Sequence, residues 1–181
     1  MKLLGAILAG GQAIRFGRDK ALALLDDRTL IAHAAAALRH ATPDVIVCGR
    51  ERAPDGIPAI ADWPTHGLGP LGGLCAALRY AAEHGYAAVL SIGCDTPTLP
   101  GALIDQLIAG PGARFLRQAP IIGYWPVDLA GSLAEHLGQG RDRAVYRWAA
   151  SVGAAAIDAG GDLPNINHVD DLARLARQRP D

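Results

Sequence analysis

Cysteine is too sparse to staple this chain. The three cysteines, Cys48, Cys75 and Cys94, are odd in number, widely spaced and each set in apolar sequence. That pattern excludes a disulfide framework and a zinc ligand set, and leaves small buried thiols. Charge of one sign is equally lacking. With 17 basic and 18 acidic residues the formal net charge is -1, so there is no basic field to hold a nucleic-acid backbone. No apolar run approaches the roughly 20 residues that cross a bilayer. The opening MKLLGAILAGG places a lysine before a short apolar stretch, but it runs straight into a glycine turn and charges, which suits a buried first strand better than a signal peptide. A cytoplasmic protein with neither nucleic acid nor membrane as partner is expected. Internal repeats, low-complexity linkers and composition breaks are also missing, so residues 1–181 read as one domain, long enough to bury a substantial core.

What is present is an alternation of two kinds of segment. Short apolar runs end in glycine or polar clusters, and longer alanine- and leucine-rich stretches carry helical spacing, which is a βαβ rhythm. The spacing predicts strands over Leu3–Leu8, Val45–Cys48, Ile57–Ala61 and Ala87–Ile92. It predicts helices over Thr29–Ala41, with Thr29 as cap, Leu71–His84 and Gly101–Ala109. After Gly110 the rhythm loosens: Arg114–Arg117 and Ile121–Trp125 read as an antiparallel pair, Leu129–Leu137 and Asp142–Val152 as helices, Ala154–Ile157 as a strand and Val169–Arg177 as a terminal helix. The class is α/β with a mostly parallel, mixed sheet. In such sheets ligands sit at the carboxyl ends of the strands.

The first strand runs into LAGGQAIRFGRDK. Gly10, Gly11 and Gly17 let successive backbone N–H groups face a phosphate closely, while Arg15, Arg18 and Lys20 offset its charge. Glycines alone would equally make a plain strand-to-helix turn. Two known phosphate loops fail on spacing: Arg18-Asp19, not Lys-Ser/Thr, follows Gly17, and no G-x-G-x-x-G occurs. Only two of the 17 basic residues are lysines, so Lys20 stands where the chain's habit would supply arginine. A lysine is a compact point charge on phosphate, which arginine's planar fork does not duplicate.

Carboxylates fall at two further strand ends. Asp95, in Gly93-Cys94-Asp95-Thr96-Pro97, emerges where the apolar run Ala87–Ile92 stops, and either caps a turn or holds Mg²⁺ together with substrate phosphates. Asp62, in PAIADWP, precedes Gly69-Pro70-Leu71-Gly72-Gly73 and is either a solvated loop residue or an acceptor for the N1 and N2 protons of guanine. Near the end, Asn165 and Asn167 either make turn or cap chemistry or face a polar ligand together from an extended segment, with His168 beside them. No Ser-His-Asp or Cys-His arrangement stands out.

Together, LAGGQAIRFGRDK, GPLGG, CDTP and NINHVDD resemble, in order and over almost the full chain, the hallmarks of the molybdenum cofactor guanylyltransferase family. The resemblance implies a Rossmann-like three-layer fold, GTP and Mg²⁺ as partners, molybdopterin or the molybdenum cofactor as acceptor, and a molybdoenzyme or its chaperone as recipient. It places Leu8, Ala9, Gly10 and Gly11 in the nucleotide loop, Arg15 and Lys20 on the triphosphate, Asp95 on the metal and Asp62 on guanosine. Cys48 falls where that family can carry an asparagine near the nucleotide, and Asn165 and Asn167 fall near the acceptor. The segment Arg114–Trp125, on the acceptor side, is shorter than in that family. Three readings remain beside this one: a molybdopterin cytidylyltransferase, which usually carries LAAG for LAGG; a sugar-phosphate nucleotidyltransferase, normally longer; and a non-catalytic GTP-binding module.

Overall fold

A computed structural model describes residues 1–10, 19–140, 142–161, 163 and 171. In chain order the elements are β1 (Leu3–Leu8), a 3-10 turn (Lys20–Leu22), β2 (Leu24–Leu25), β3 (Arg28–Thr29), α1 (Leu30–Leu38), β4 (Val45–Cys48), β5 (Ala59–Ile60), α2 (Pro70–Glu83), β6 (Ala88–Gly93), α3 (Gly101–Ile108), β7 (Arg114–Leu116), β8 (Ala119–Pro126), α4 (Leu129–Gly138), α5 (Val145–Ser151) and β9 (Ala155–Ile157).

Seven strands form one sheet in the order β5-β4-β1-β6-β8-β7-β9. β5, β4, β1 and β6 run parallel, β8 is antiparallel to both β6 and β7, and β9 returns parallel to β7. β1 and β4 are apolar without interruption, and β6 is apolar but for the buried Ser91, because both faces of these strands are covered. Leu3 and Ile7 pack with Val45, Val47, Leu90 and Ile92 beneath α1 and α3. Leu4, Ala6 and Leu8 pack with Ile46, Cys48 and Val89 beneath α2, α4 and α5. The result is three layers, with β1 buried at their centre.

The bounds of β1 and β4 coincide with the apolar runs; several others shift for local reasons. α1 begins after Thr29, whose hydroxyl accepts from the Ala32 amide at 3.1 Å, but it ends at Leu38. Thr42 then ties the chain to β1 by donating its hydroxyl to the Leu3 carbonyl at 2.7 Å, and Pro43 follows. α2 starts at Pro70, a residue suited to the first helical turn, behind Gly69 at φ 66. α5 starts only at Val145, since the Asp142 side chain accepts from the Ala144 amide at 2.8 Å and holds a turn there. β8 starts two residues earlier than the sequence suggests, leaving Arg117 and Gln118 as its link to β7. The expected strand over Ile57–Ala61 shrinks to β5. The β2–β3 ribbon was not expected; Asp26 and Asp27 make its two-residue turn with φ of 48 and 59. The expected terminal helix Val169–Arg177 lies, apart from residue 171, outside the described residues. No helix among the described residues is long and apolar enough to cross a membrane.

Candidate active site

From β1 the chain crosses to β4 on one side and later to β6 on the other, so the carboxyl end of β1 is a switch point where a crevice opens. A cavity of about 270 Å³ occupies it. Leu8, Ala9 and Gly10 reach it from β1, Cys48 from β4, Asp62 from just beyond β5, and Gly93, Cys94 and Asp95 from β6. Lys20 and Ala21 enter from the 3-10 turn, Gly69, Pro70 and Gly73 from the start of α2, and Ile121 from β8. Seven residues singled out from sequence thus meet around one space: Leu8, Ala9, Gly10, Lys20, Cys48, Asp62 and Asp95. Gly11, Arg15, Asn165, Asn167 and His168 lie outside the described residues.

Small residues let these elements converge. The Ala9 amide donates to the Cys48 carbonyl at 3.0 Å, continuing the β1–β4 ladder past its formal end. One step on, Gly10 and Gly49 pass so closely that a Cβ on Gly49 would lie 2.5 Å from Gly10 Cα, and Gly49 holds a φ of +85. Only glycine fits both demands. Side-chain atoms of Asp62 fill the space over these glycines: its carboxylate is 3.4 Å from where a Gly10 Cβ would stand and 3.5 Å from that of Gly73. Burial therefore pushes the Asp62 carboxyl above its usual range, tempered by a hydrogen bond from the Gly67 amide and by nearby His66.

At the other end of the cavity, Lys20 Nζ lies 3.4 Å from Asp95 Oδ2, both side chains being partly buried. The Asp19 carboxylate accepts from the Ala21 amide at 3.2 Å and so caps the turn that carries Lys20. Arg50, just past β4, grips the same carboxylate with two N–H groups, one at 2.9 Å to Oδ1 and one to Oδ2. This hydrogen-bonded pair holds the Asp19 carboxyl below its usual range. Sequence reasoning missed the pair; the only signal was Asp19 standing next to Lys20 within the quoted loop.

The thiols do not supply a nucleophile. Burial, with Asp95 adding to it, pushes Cys94 up to about 12, and burial, with Asp62 adding to it, raises Cys48. Cys75 is pushed up to about 12 by its burial. The donor set also bears on metal binding. Among the described residues no group of three or more His, Cys, Asp or Glu could hold an ion. The Asp95 carboxylate, which reaches the cavity, is compatible with a divalent cation of the kind held by one or two carboxylates plus substrate phosphates.

Comparison with known proteins agrees with this architecture. The family model for the MobA-like NTP transferase domain matches residues 5–155. A protein of Cereibacter sphaeroides named molybdenum cofactor guanylyltransferase is 38% identical, covering 96% of this chain and 95% of its own. The crystal structure of molybdopterin-guanine dinucleotide biosynthesis protein A from Archaeoglobus fulgidus shares the fold, with a TM-score of 0.76 and 22% identity over 96% of this chain and 97% of that one. A Mycobacterium tuberculosis protein crystallised in complex with manganese shares it too, at a TM-score of 0.66 and 18% identity over 99% of this chain and 100% of that one. In fold and over nearly its full length in sequence, the chain belongs to the MobA-like NTP transferase family and, within it, to the molybdenum cofactor guanylyltransferases.

Proposed function

We propose that this chain joins GMP from GTP to molybdopterin, releasing pyrophosphate, in the cytoplasm and as one catalytic domain. The observation that carries the reading is a single cavity with Lys20 and Asp95 at one end and the half-buried Asp62 carboxylate at the other. The first end suits a triphosphate; the second suits a base edge that offers two N–H donors.

In this reading the acceptor phosphate of molybdopterin attacks the α-phosphorus of GTP, the bond to the β-phosphate oxygen breaks, and pyrophosphate leaves in line. No protein nucleophile is needed, which accords with the raised thiols. Catalysis is positioning and charge stabilisation. Lys20 is a point charge on the phosphates, joined by Arg15 and the backbone of Gly10 and Gly11. The positive end of α2, whose first residues line the cavity, adds to that field. Asp95 would hold Mg²⁺, which when bound offsets charge building on the phosphates. Asp62 accepts the guanine N1 and N2 protons, Cys48 and Leu8–Ala9 complete the nucleoside wall, and Asn165 and Asn167 serve the acceptor. The product would pass to a molybdoenzyme directly or through its chaperone.

The test is turnover. Purified protein with GTP, Mg²⁺ and molybdopterin should release pyrophosphate and yield the guanine dinucleotide, seen by mass. GTP binding without pyrophosphate release would instead make the chain a non-catalytic carrier.

A further inference from the structure

Arg50 belongs to none of the motifs that mark this family in the sequence, yet its guanidinium is pinned on every edge. Nε donates to the Arg52 carbonyl at 3.3 Å, and both Nη groups go to Asp19. The Arg50 side chain is only 18% exposed. Its backbone is fixed as well: the amides of Gly49 and Arg50 donate to the Ile60 carbonyl at 2.9 and 3.3 Å. Asp19 in turn holds the Ala21 amide, and Lys20 between them points at Asp95. One continuous set of bonds therefore runs from the end of β4, through the turn after the glycine-rich loop, to the end of β6. Lys20 is the only cationic side chain lining the cavity among the described residues, and it sits on a three-residue turn that the buried Ala21 anchors in the core and the Asp19 cap, held by Arg50, fixes at its leading end.

We propose that Arg50 is a positioning residue for nucleotidyl transfer: by forking onto Asp19 it fixes the turn that aims Lys20 at the nucleotide's phosphates. Arg50 touches no substrate in this account. The fork matters as much as the charge, because a bidentate guanidinium sets both the distance and the rotation of the Asp19 carboxylate, which a lysine would not. The pair is partly exposed, on the Asp19 side above all, so solvent screens it and it adds little to global stability. Its effect falls on geometry at the site, where small misplacements are costly in rate.

The inference rests on the reading of Lys20 as a phosphate contact, and the experiment separates the two. GTP affinity at equilibrium and steady-state kinetics are measured for the unaltered chain, Arg50→Ala, Arg50→Lys, Asp19→Asn and Lys20→Ala, and for Arg50→Ala combined with Lys20→Ala. Arg50→Ala should lower kcat/KM for GTP by about 10- to 100-fold, with the KM for molybdopterin and the melting temperature near those of the unaltered chain. Asp19→Asn should reproduce that loss, and Arg50→Lys should recover only part of it. In the Lys20→Ala background, Arg50→Ala should cost no more than about twofold, because its partner in the effect is gone. An undiminished loss in that background overturns the proposal, since Arg50 would then act on ligand or fold by itself. A loss shared equally by both substrates overturns it too. If the unaltered chain turns over no nucleotide, the proposed function fails, while the same coupling read from GTP binding still decides the role of Arg50.

Discussion

The two flanks of the cavity are built on opposite terms. On the β1–β4 side, glycines crowd backbone against backbone, Gly49 holds a conformation closed to other residues, and the Asp62 carboxyl is buried at a cost. On the β6–β8 side, Ser91 donates its hydroxyl to the Ile121 carbonyl at 2.6 Å and accepts from Trp125 Nε1 at 2.8 Å. Trp125 then packs on Trp148 with ring centroids 5.2 Å apart, both fully buried. The first flank places unfavourable charge and conformation where a ligand would relieve them. The second is held by the Ser91 hydrogen bonds and the packed indoles, with Trp148 Nε1 left buried without a partner among the described residues, and it asks nothing of a ligand in the cavity. Stability and chemistry should therefore respond separately to substitution.

The sharpest separation is expected at Asp95. Asp95→Asn keeps the shape and removes the charge, so turnover should fall by about 1,000-fold or more, equivalent to about 4 kcal/mol, with the melting curve unchanged. Near-normal turnover at limiting Mg²⁺ would remove Asp95 from the metal. Trp125→Ala should do the reverse. It deletes a fully buried indole and the hydrogen bond that indole donates to Ser91, costing about 3–5 kcal/mol of stability, while the protein that remains folded keeps its GTP preference. Denaturant unfolding checks the first half, nucleotide competition the second.

Gly49→Ala falls between these. Its Cβ would press on Gly10 in a backbone conformation that alanine resists, costing roughly 2–3 kcal/mol and prying apart the strands that bring Asp62 to the cavity. Both melting temperature and GTP affinity should drop together; loss of one without the other would show that the close approach is not shared by fold and site.

The smallest expected effect is on stability at Asp62. Burial raises its carboxyl, so the folded chain holds that proton more tightly than the unfolded chain does. The group's contribution is thus most favourable below the ordinary carboxylate range and declines as pH rises through the raised value. Asp62→Asn removes that decline. Its melting temperature should rise slightly at neutral pH and match the unaltered chain in acid. A variant less stable at neutral pH would mean that Asp62 is satisfied in the free protein.

The same contrast governs what could be read from the sequence. β1 and β4 were legible to the residue because both faces of each strand are buried, which writes an unbroken apolar run. Asp62 and Asp95 were legible as carboxylates at the ends of such runs. The β2–β3 ribbon was not, since two residues per strand carry no period and its turn uses aspartates rather than glycine. Nor was the Arg50–Asp19 pair, which joins charged residues 31 positions apart that no pattern links. What sequence conveys here is the repeated burial of strands and the chemistry of their ends; contacts between loops exist only once the strands have met.

The central claim is that Asp62, not the phosphate end of the cavity, chooses the base. The most direct measurement is competition among GTP, CTP, ATP and UTP for transfer to molybdopterin, with kcat/KM ratios taken for the unaltered chain and for Asp62→Asn. A site built to pair a specific hydrogen-bonding edge can reject analogues by up to about 10,000-fold or more. The account predicts a clear GTP preference that narrows in the variant, mainly through damaged use of GTP. A CTP preference in the unaltered chain, or selectivity untouched in the variant, would contradict it.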